Sequence, residues 1–237
     1  MDRAQRRMGT RRARGYTLAE VALAMLVAGL LVAAALRSGE LVAQSRIKGL
    51  VADYSGTLAA YQLYVDRYSA IPGDDPGAAR RWAGALAGNG DRRLSGRFDA
   101  LAPRELSGFT VDALGGESLA FWWHLRLAGL ASGVATGASA LGQPLHAAGG
   151  IMGAEHEALG LAGLTLCLAG LQDYMAAALD AQLDDHQPGS GAMRTAREGT
   201  STALDAYRET RDEQERYVLC GSAGGHGRSA AVAAAGP

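Results

Sequence analysis

Hydrophobic and polar positions divide the chain into a short leader, one long helix and a body without a regular period. Residues 21–36 carry no charge, and from Tyr16 the apolar run to Leu36 is broken only by Glu20. A helix needs roughly 20 such residues to cross about 30 Å of hydrocarbon, so 16–36 is expected to be a transmembrane half-helix. Further on, Ile47, Leu50, Tyr54, Leu58, Tyr61, Val65 and Tyr68 recur at spacings of three and four, the stripe of an amphipathic helix. Lys48, Asp53, Gln62, Asp66 and Arg67 fall between them, and Pro72-Gly73 stops the pattern. One helix from Tyr16 to about Ala70 is expected, roughly 80 Å long at 1.5 Å per residue, with 37–70 as its amphipathic half.

The body, 71–220, is punctuated by turns. Ile71-Pro72-Gly73-Asp74-Asp75-Pro76-Gly77 is dense turn chemistry, and Asn89-Gly90-Asp91 marks a second loop. Glu117 to Leu130 reads as a helix that turns Phe121, Trp122, Leu125 and Leu130 inward and ends near Gly129. The aromatic pair belongs in a core, and His124 is expected to be a surface or capped histidine and not a catalyst. From Ala131 to Gly163 short apolar pieces fit strands and loops without clean alternation. Leu164–Leu168 and Tyr217–Cys220 look like short strands, and a helix through Ala176–Leu183 runs into Asp184-Asp185-His186-Gln187-Pro188-Gly189. Residues 221–237 have no apolar stripe and read as a flexible tail. The expected fold is α+β: a long N-terminal helix packed against a small glycine-rich domain with short antiparallel strands.

Charge sharpens the N-terminus. Residues 1–15 hold six arginines against Asp2, although the whole chain has a formal net charge of −1. The basic arm precedes the apolar run, which by the positive-inside rule leaves the N-terminus cytoplasmic and exports the C-terminal body. The remainder is net acidic, so a nucleic-acid surface is not expected. Three fates suit the apolar run: a secretory signal cut near Ala33-Ala34-Ala35, a plain signal anchor, or a leader cut after Gly15. A carboxylate within a lipid-facing helix is costly and usually has a partner, which singles out Glu20.

The junction Gly15-Tyr16-Thr17-Leu18-Ala19-Glu20 resembles the processing site of type IV pilins and type II secretion pseudopilins. The resemblance implies a 1–15 leader removed after Gly15 by a prepilin peptidase, N-methylation of Tyr16, and a Glu20 that meets the new α-amino group of a neighbouring subunit during assembly. It implies a single-pass inner-membrane protein with a periplasmic domain, later packed into a pilus or pseudopilus with other subunits. Ala19 stands where many pilins have isoleucine, and Arg37-Ser38-Gly39 where many major pilins carry a proline. The stretches 68–78 and 117–130 resemble parts of uncharacterised prepilin-like proteins. The different-class alternative is an exported or anchored periplasmic domain, behind an ordinary signal sequence, that binds a ligand or metal.

Little else carries chemistry. No nucleophile elbow, phosphate loop, dinucleotide fingerprint or zinc-protease helix occurs, so no enzyme is expected. Glu155-His156-Glu157 lacks the two-histidine spacing of a zinc hydrolase and reads as polar surface. Export would make a Cys167–Cys220 disulfide the default, with two buried free thiols as the alternative; many pilins close their C-terminal region with such a bond. Asp180 and Asp184 lie four apart on one helical face with Asp185 beside them, an arrangement that invites either solvent or a cation. Some pseudopilins hold calcium in an acidic loop, which makes these three weak calcium candidates; no other cofactor is expected.

Overall fold

The computed structural model describes residues 16–100, 116–207 and 214–224, except the side chains of 34–38. Helices combine with one four-stranded antiparallel sheet in an α+β architecture. The helices are α1 (Leu18–Tyr68), α2 (Ala78–Arg81), α3 (Glu117–Leu127) and α4 (Asp173–Leu183). The strands are β1 (Met152–His156), β2 (Leu164–Leu171), β3 (Met193–Arg197) and β4 (Tyr217–Ser222), in the spatial order β1-β2-β4-β3. The chain forms two compact units, Met1–Gln44 and Ser45–Pro237. Gly15 and the rest of the leader lie outside the described residues.

In the second unit the stripe of α1 does what its spacing predicts. Leu50, Tyr54 and Leu58 are buried, while Ile47, Tyr61 and Tyr68 are half-buried against the same core. Tyr64, outside the expected stripe, is wholly buried. Its hydroxyl donates to the Asp75 carboxylate at 2.6 Å, so a polar tether turns this ring inward where periodicity alone would not. The helix ends as Ser69 enters the left-handed region at φ 53°, just before Pro72.

One face of the sheet, with Leu164, Leu166, Leu168, Met193 and Leu219, packs in a single core with α1, α3 and α4. Gly221 of β4 supplies the close approach: a Cβ there would collide with the Tyr54 hydroxyl. The Trp122 indole N–H donates to the Met152 carbonyl at 3.0 Å and ties α3 to β1. The other face carries Cys167 and Cys220, which form a disulfide directly across β2 and β4 with Cα atoms 4.0 Å apart. Phe98, Leu161 and Val218 close over them.

The structure sharpens two sequence expectations and shifts a third. The helix from Glu117 ends at Leu127, close to the expected stop, with Gly129 at φ 70° taking the turn and Leu130 half-buried against the core. The region 131–163 yields one strand, β1; its Gly153-Ala154-Glu155 run lacks alternation because the glycine sits under Phe98 and so leaves that face without a side chain. The expected tail begins too early, since Gly221 and Ser222 belong to β4 and Ala223 donates to the Leu164 carbonyl. The rest of that tail, 225–237, is outside the described residues.

His124 is wholly buried and not on the surface. Its Nδ1 accepts the Gly73 N–H at 2.8 Å, which puts the ring proton on Nε2, 2.8 Å from the Leu86 carbonyl. Gly73 itself sits at φ 93° with the Glu117 carbonyl where a Cβ would point, so the motif needs glycine there. Burial, with Arg81 adding a like charge, pushes the His124 pKa down to about 4. The folded chain therefore keeps this ring neutral above about pH 4, whereas the unfolded chain protonates it below about 6.5. Acidification through that window favours unfolding, by about 3 kcal/mol at its lower end. Wild type is expected to lose stability between pH 6.5 and 4 more steeply than His124→Gln in urea melts; identical slopes would refute the neutral-histidine account.

Candidate assembly helix and acidic clusters

The first site predicted from sequence lies in the first unit. Every described side chain from Tyr16 to Ala33 is exposed, including Leu18 at 91 % and Met25 at 71 %. A continuous apolar surface of this kind marks a lipid or protein contact. Among the described residues, whose side chains stop at Ala33 and resume at Gly39, no helix is long and apolar enough to cross a membrane. The expected span thus lies partly outside the described side chains.

Glu20 is placed by a local motif that the hydrophobic pattern does not reveal. Thr17 precedes α1 and Glu20 is its third residue, the Thr-x-x-Glu spacing of a capping box. The Glu20 amide donates to the Thr17 hydroxyl oxygen at 3.2 Å. The Glu20 carboxylate in turn accepts the Thr17 N–H at 3.4 Å and the Thr17 hydroxyl at 3.5 Å. These last two distances are long, so the carboxylate is weakly held and open to a stronger partner. Tyr16, just outside the helix, is 82 % exposed.

Two groups of acids converge in the second unit. Sequence reasoning singled out Asp180, Asp184 and Asp185, and the fold brings carboxylate oxygens of all three within 4.8 Å of one another. Asp180 is buried and accepts the Tyr207 hydroxyl at 2.8 Å; that hydroxyl also meets the Thr195 hydroxyl at 2.8 Å. Burial, reinforced by Asp184 and Asp185, raises the Asp180 pKa against the opposing Tyr207 bond. Asp184 accepts the Met193 amide at 2.9 Å, and Asp185 accepts the Gln187 amide and the Ser190 hydroxyl. The Ser190 bond, followed by smaller effects, lowers the Asp185 pKa.

Sequence reasoning missed the second group, Asp74, Asp91 and Glu117. Asp74 accepts the amides of Gly90 at 2.5 Å and Arg92 at 2.7 Å, and burial still raises its pKa. Glu117 accepts the amides of Asn89 and Ser95, both at 3.0 Å, and the Ser95 hydroxyl. The signal for this group was present as one acid inside the Pro-Gly-Asp-Asp-Pro turn, one in the Asn-Gly-Asp loop and a glutamate opening a helix. Each reads in sequence only as part of its turn, loop or helix. Nearby, buried Asp75 accepts from Tyr64, the Gly77 amide and the Arg81 guanidinium, which stacks on Tyr68 and Trp82.

Cys167 and Cys220 come together as expected. Glu155-His156-Glu157 is half polar scaffold: Glu155 accepts the Phe98 amide and Glu157 pairs with Arg93 at 2.9 Å. Comparison with protein-family models, with characterised proteins and with solved structures finds no match for this chain.

Removing the Glu117 carboxylate leaves the partly buried bonds from the Asn89 and Ser95 amides without their acceptor. Glu117→Ala is expected to cost about 3 kcal/mol, since bonds to charged acceptors are worth more than neutral ones. A shift in the urea midpoint corresponding to less than about 1 kcal/mol would show that water replaces the carboxylate.

Proposed function

We propose that the chain is a type IV pilin-like structural subunit, a minor pilin or a pseudopilin, with no catalysis of its own. Prepilin peptidase removes residues 1–15 after Gly15, Tyr16 is N-methylated, and the apolar helix carries the subunit from the inner membrane into a pilus or secretion pseudopilus. The domain beyond it is periplasmic, and the other partners are pilin or pseudopilin subunits that pack through the same helix. The observation that carries this reading is the wholly exposed apolar helix from Leu18 to Ala33, interrupted only by a weakly held Glu20. A disulfide across the central strands accords with an oxidising compartment.

The alternative, a ligand- or metal-binding periplasmic domain behind an ordinary signal, differs first in where the mature chain begins. Mass spectrometry of the mature N-terminus is expected to find a methylated Tyr16, and Gly15→Ala to block cleavage. A start at Leu36 or an intact leader would overturn the pilin-like reading. For assembly, Glu20→Gln is the informative substitution, because glutamine preserves the capping box while removing the charge. It is expected to leave cleavage intact and to reduce incorporation into filaments at least tenfold, about the effect of losing 1.4 kcal/mol. Normal incorporation would rule out charge pairing by Glu20.

A further inference from the structure

We propose that Asn89 and Gly90 form a self-modifying site, at which the Gly90 amide nitrogen attacks the Asn89 carboxamide and expels ammonia to give a succinimide. Asn89 is the only asparagine in the chain, and a glycine follows it. Glycine leaves the attacking nitrogen without a side chain beside it. Both residues are exposed, so water reaches the site and ammonia can leave it. An Asn-Gly pair reacts slowly in any flexible peptide. The fold adds groups that touch the reacting atoms themselves.

The first is a base. The Gly90 N–H donates to Oδ1 of buried Asp74 at 2.5 Å. That N–H lies in the peptide plane, so its proton leaves toward the carboxylate while the nitrogen attacks at right angles to the plane. Burial raises the Asp74 pKa, which makes it a stronger base than an ordinary aspartate. The second acts on the electrophile. The Asp91 N–H donates to Asn89 Oδ1 at 2.8 Å, folding the carboxamide back over the Gly90 peptide bond. The same bond stabilises the negative charge that this oxygen gains in the tetrahedral intermediate.

The loop around them is held from both sides. Glu117 accepts the Asn89 amide at 3.0 Å, and Asp74 Oδ2 accepts the Arg92 amide at 2.7 Å. Asn89 Nδ2, the leaving nitrogen, rests against Asp91 Oδ2 at 3.2 Å.

The step balances without an oxidant or reductant. The Gly90 nitrogen gives its proton to Asp74 and bonds to Asn89 Cγ; Nδ2 departs with a proton as ammonia. Water then opens the ring at either carbonyl and leaves aspartate or isoaspartate. The product places a further carboxylate beside Asp74, Asp91 and Glu117, and isoaspartate also lengthens the backbone by one methylene.

This inference rests on the domain and not on the pilin-like reading, so either can fail alone. The test incubates the full chain in mild detergent at neutral pH, folded or unfolded in urea. The Asn89 peptide is followed by mass spectrometry, and hydroxylamine cleavage traps the succinimide. Because general-base catalysis is worth a hundredfold or more, the folded chain is expected to react at least tenfold faster than the unfolded one. Asp74→Asn keeps an amide acceptor but no base; it is expected to slow the folded rate at least tenfold and leave the unfolded rate unchanged. If that variant fails to fold, the wild-type comparison decides. A folded-to-unfolded ratio below ten would overturn the proposal, as would a folded Asp74→Asn chain that reacts at the wild-type rate.

Discussion

The domain depends on buried carboxylates serving as acceptors for loop amides. Between α1 and α3 the described chain has only the four-residue α2, so its backbone N–H groups lack a ladder to join. Asp74 and Glu117 each take two of these amides, and Asp75 takes one together with a tyrosine and an arginine. A carboxylate does this better than a neutral acceptor because it can accept several bonds and each is charge-assisted. The neighbouring ring of His124 meets one more amide and one carbonyl, which requires a neutral imidazole. A segment with little regular structure is thereby fixed against α3 and the end of α1.

The exposure of α1 changes along its length. From Ser45 onward its apolar face is satisfied within the domain, where Tyr54 lies against the glycine of β4 and Tyr64 is drawn in by Asp75. From Leu18 to Ala33 every described side chain is exposed. The single carboxylate of that first half is engaged only loosely by the threonine that caps the helix.

The two halves of α1 were legible in the sequence because periodicity and apolar length depend on neighbours a turn away. Helix α4 and the strands bearing the cysteines were legible for a similar reason: short apolar runs bounded by turn residues. What was hidden depends on partners far along the chain. Glu117 reaches back to residues 89 and 95, and His124 to 73 and 86. A polar residue on a predicted helix looks like surface until the distant loop that needs it is known. β1 was hidden because its glycine and polar residues answer to Phe98 and its amide, and not to the hydrophobic alternation of a strand. The acidic triplet was visible as spacing, but the burial of Asp180 depends on Tyr207, twenty-seven residues away.

The disulfide joins the two central strands and spans 53 residues. Within that covalent loop lie α4, the acidic cluster and β3. A backbone break anywhere between the cysteines leaves both pieces on one molecule, each still contributing a strand to the middle of the sheet. This bond turns a cut between the cysteines from a loss of parts into a nick.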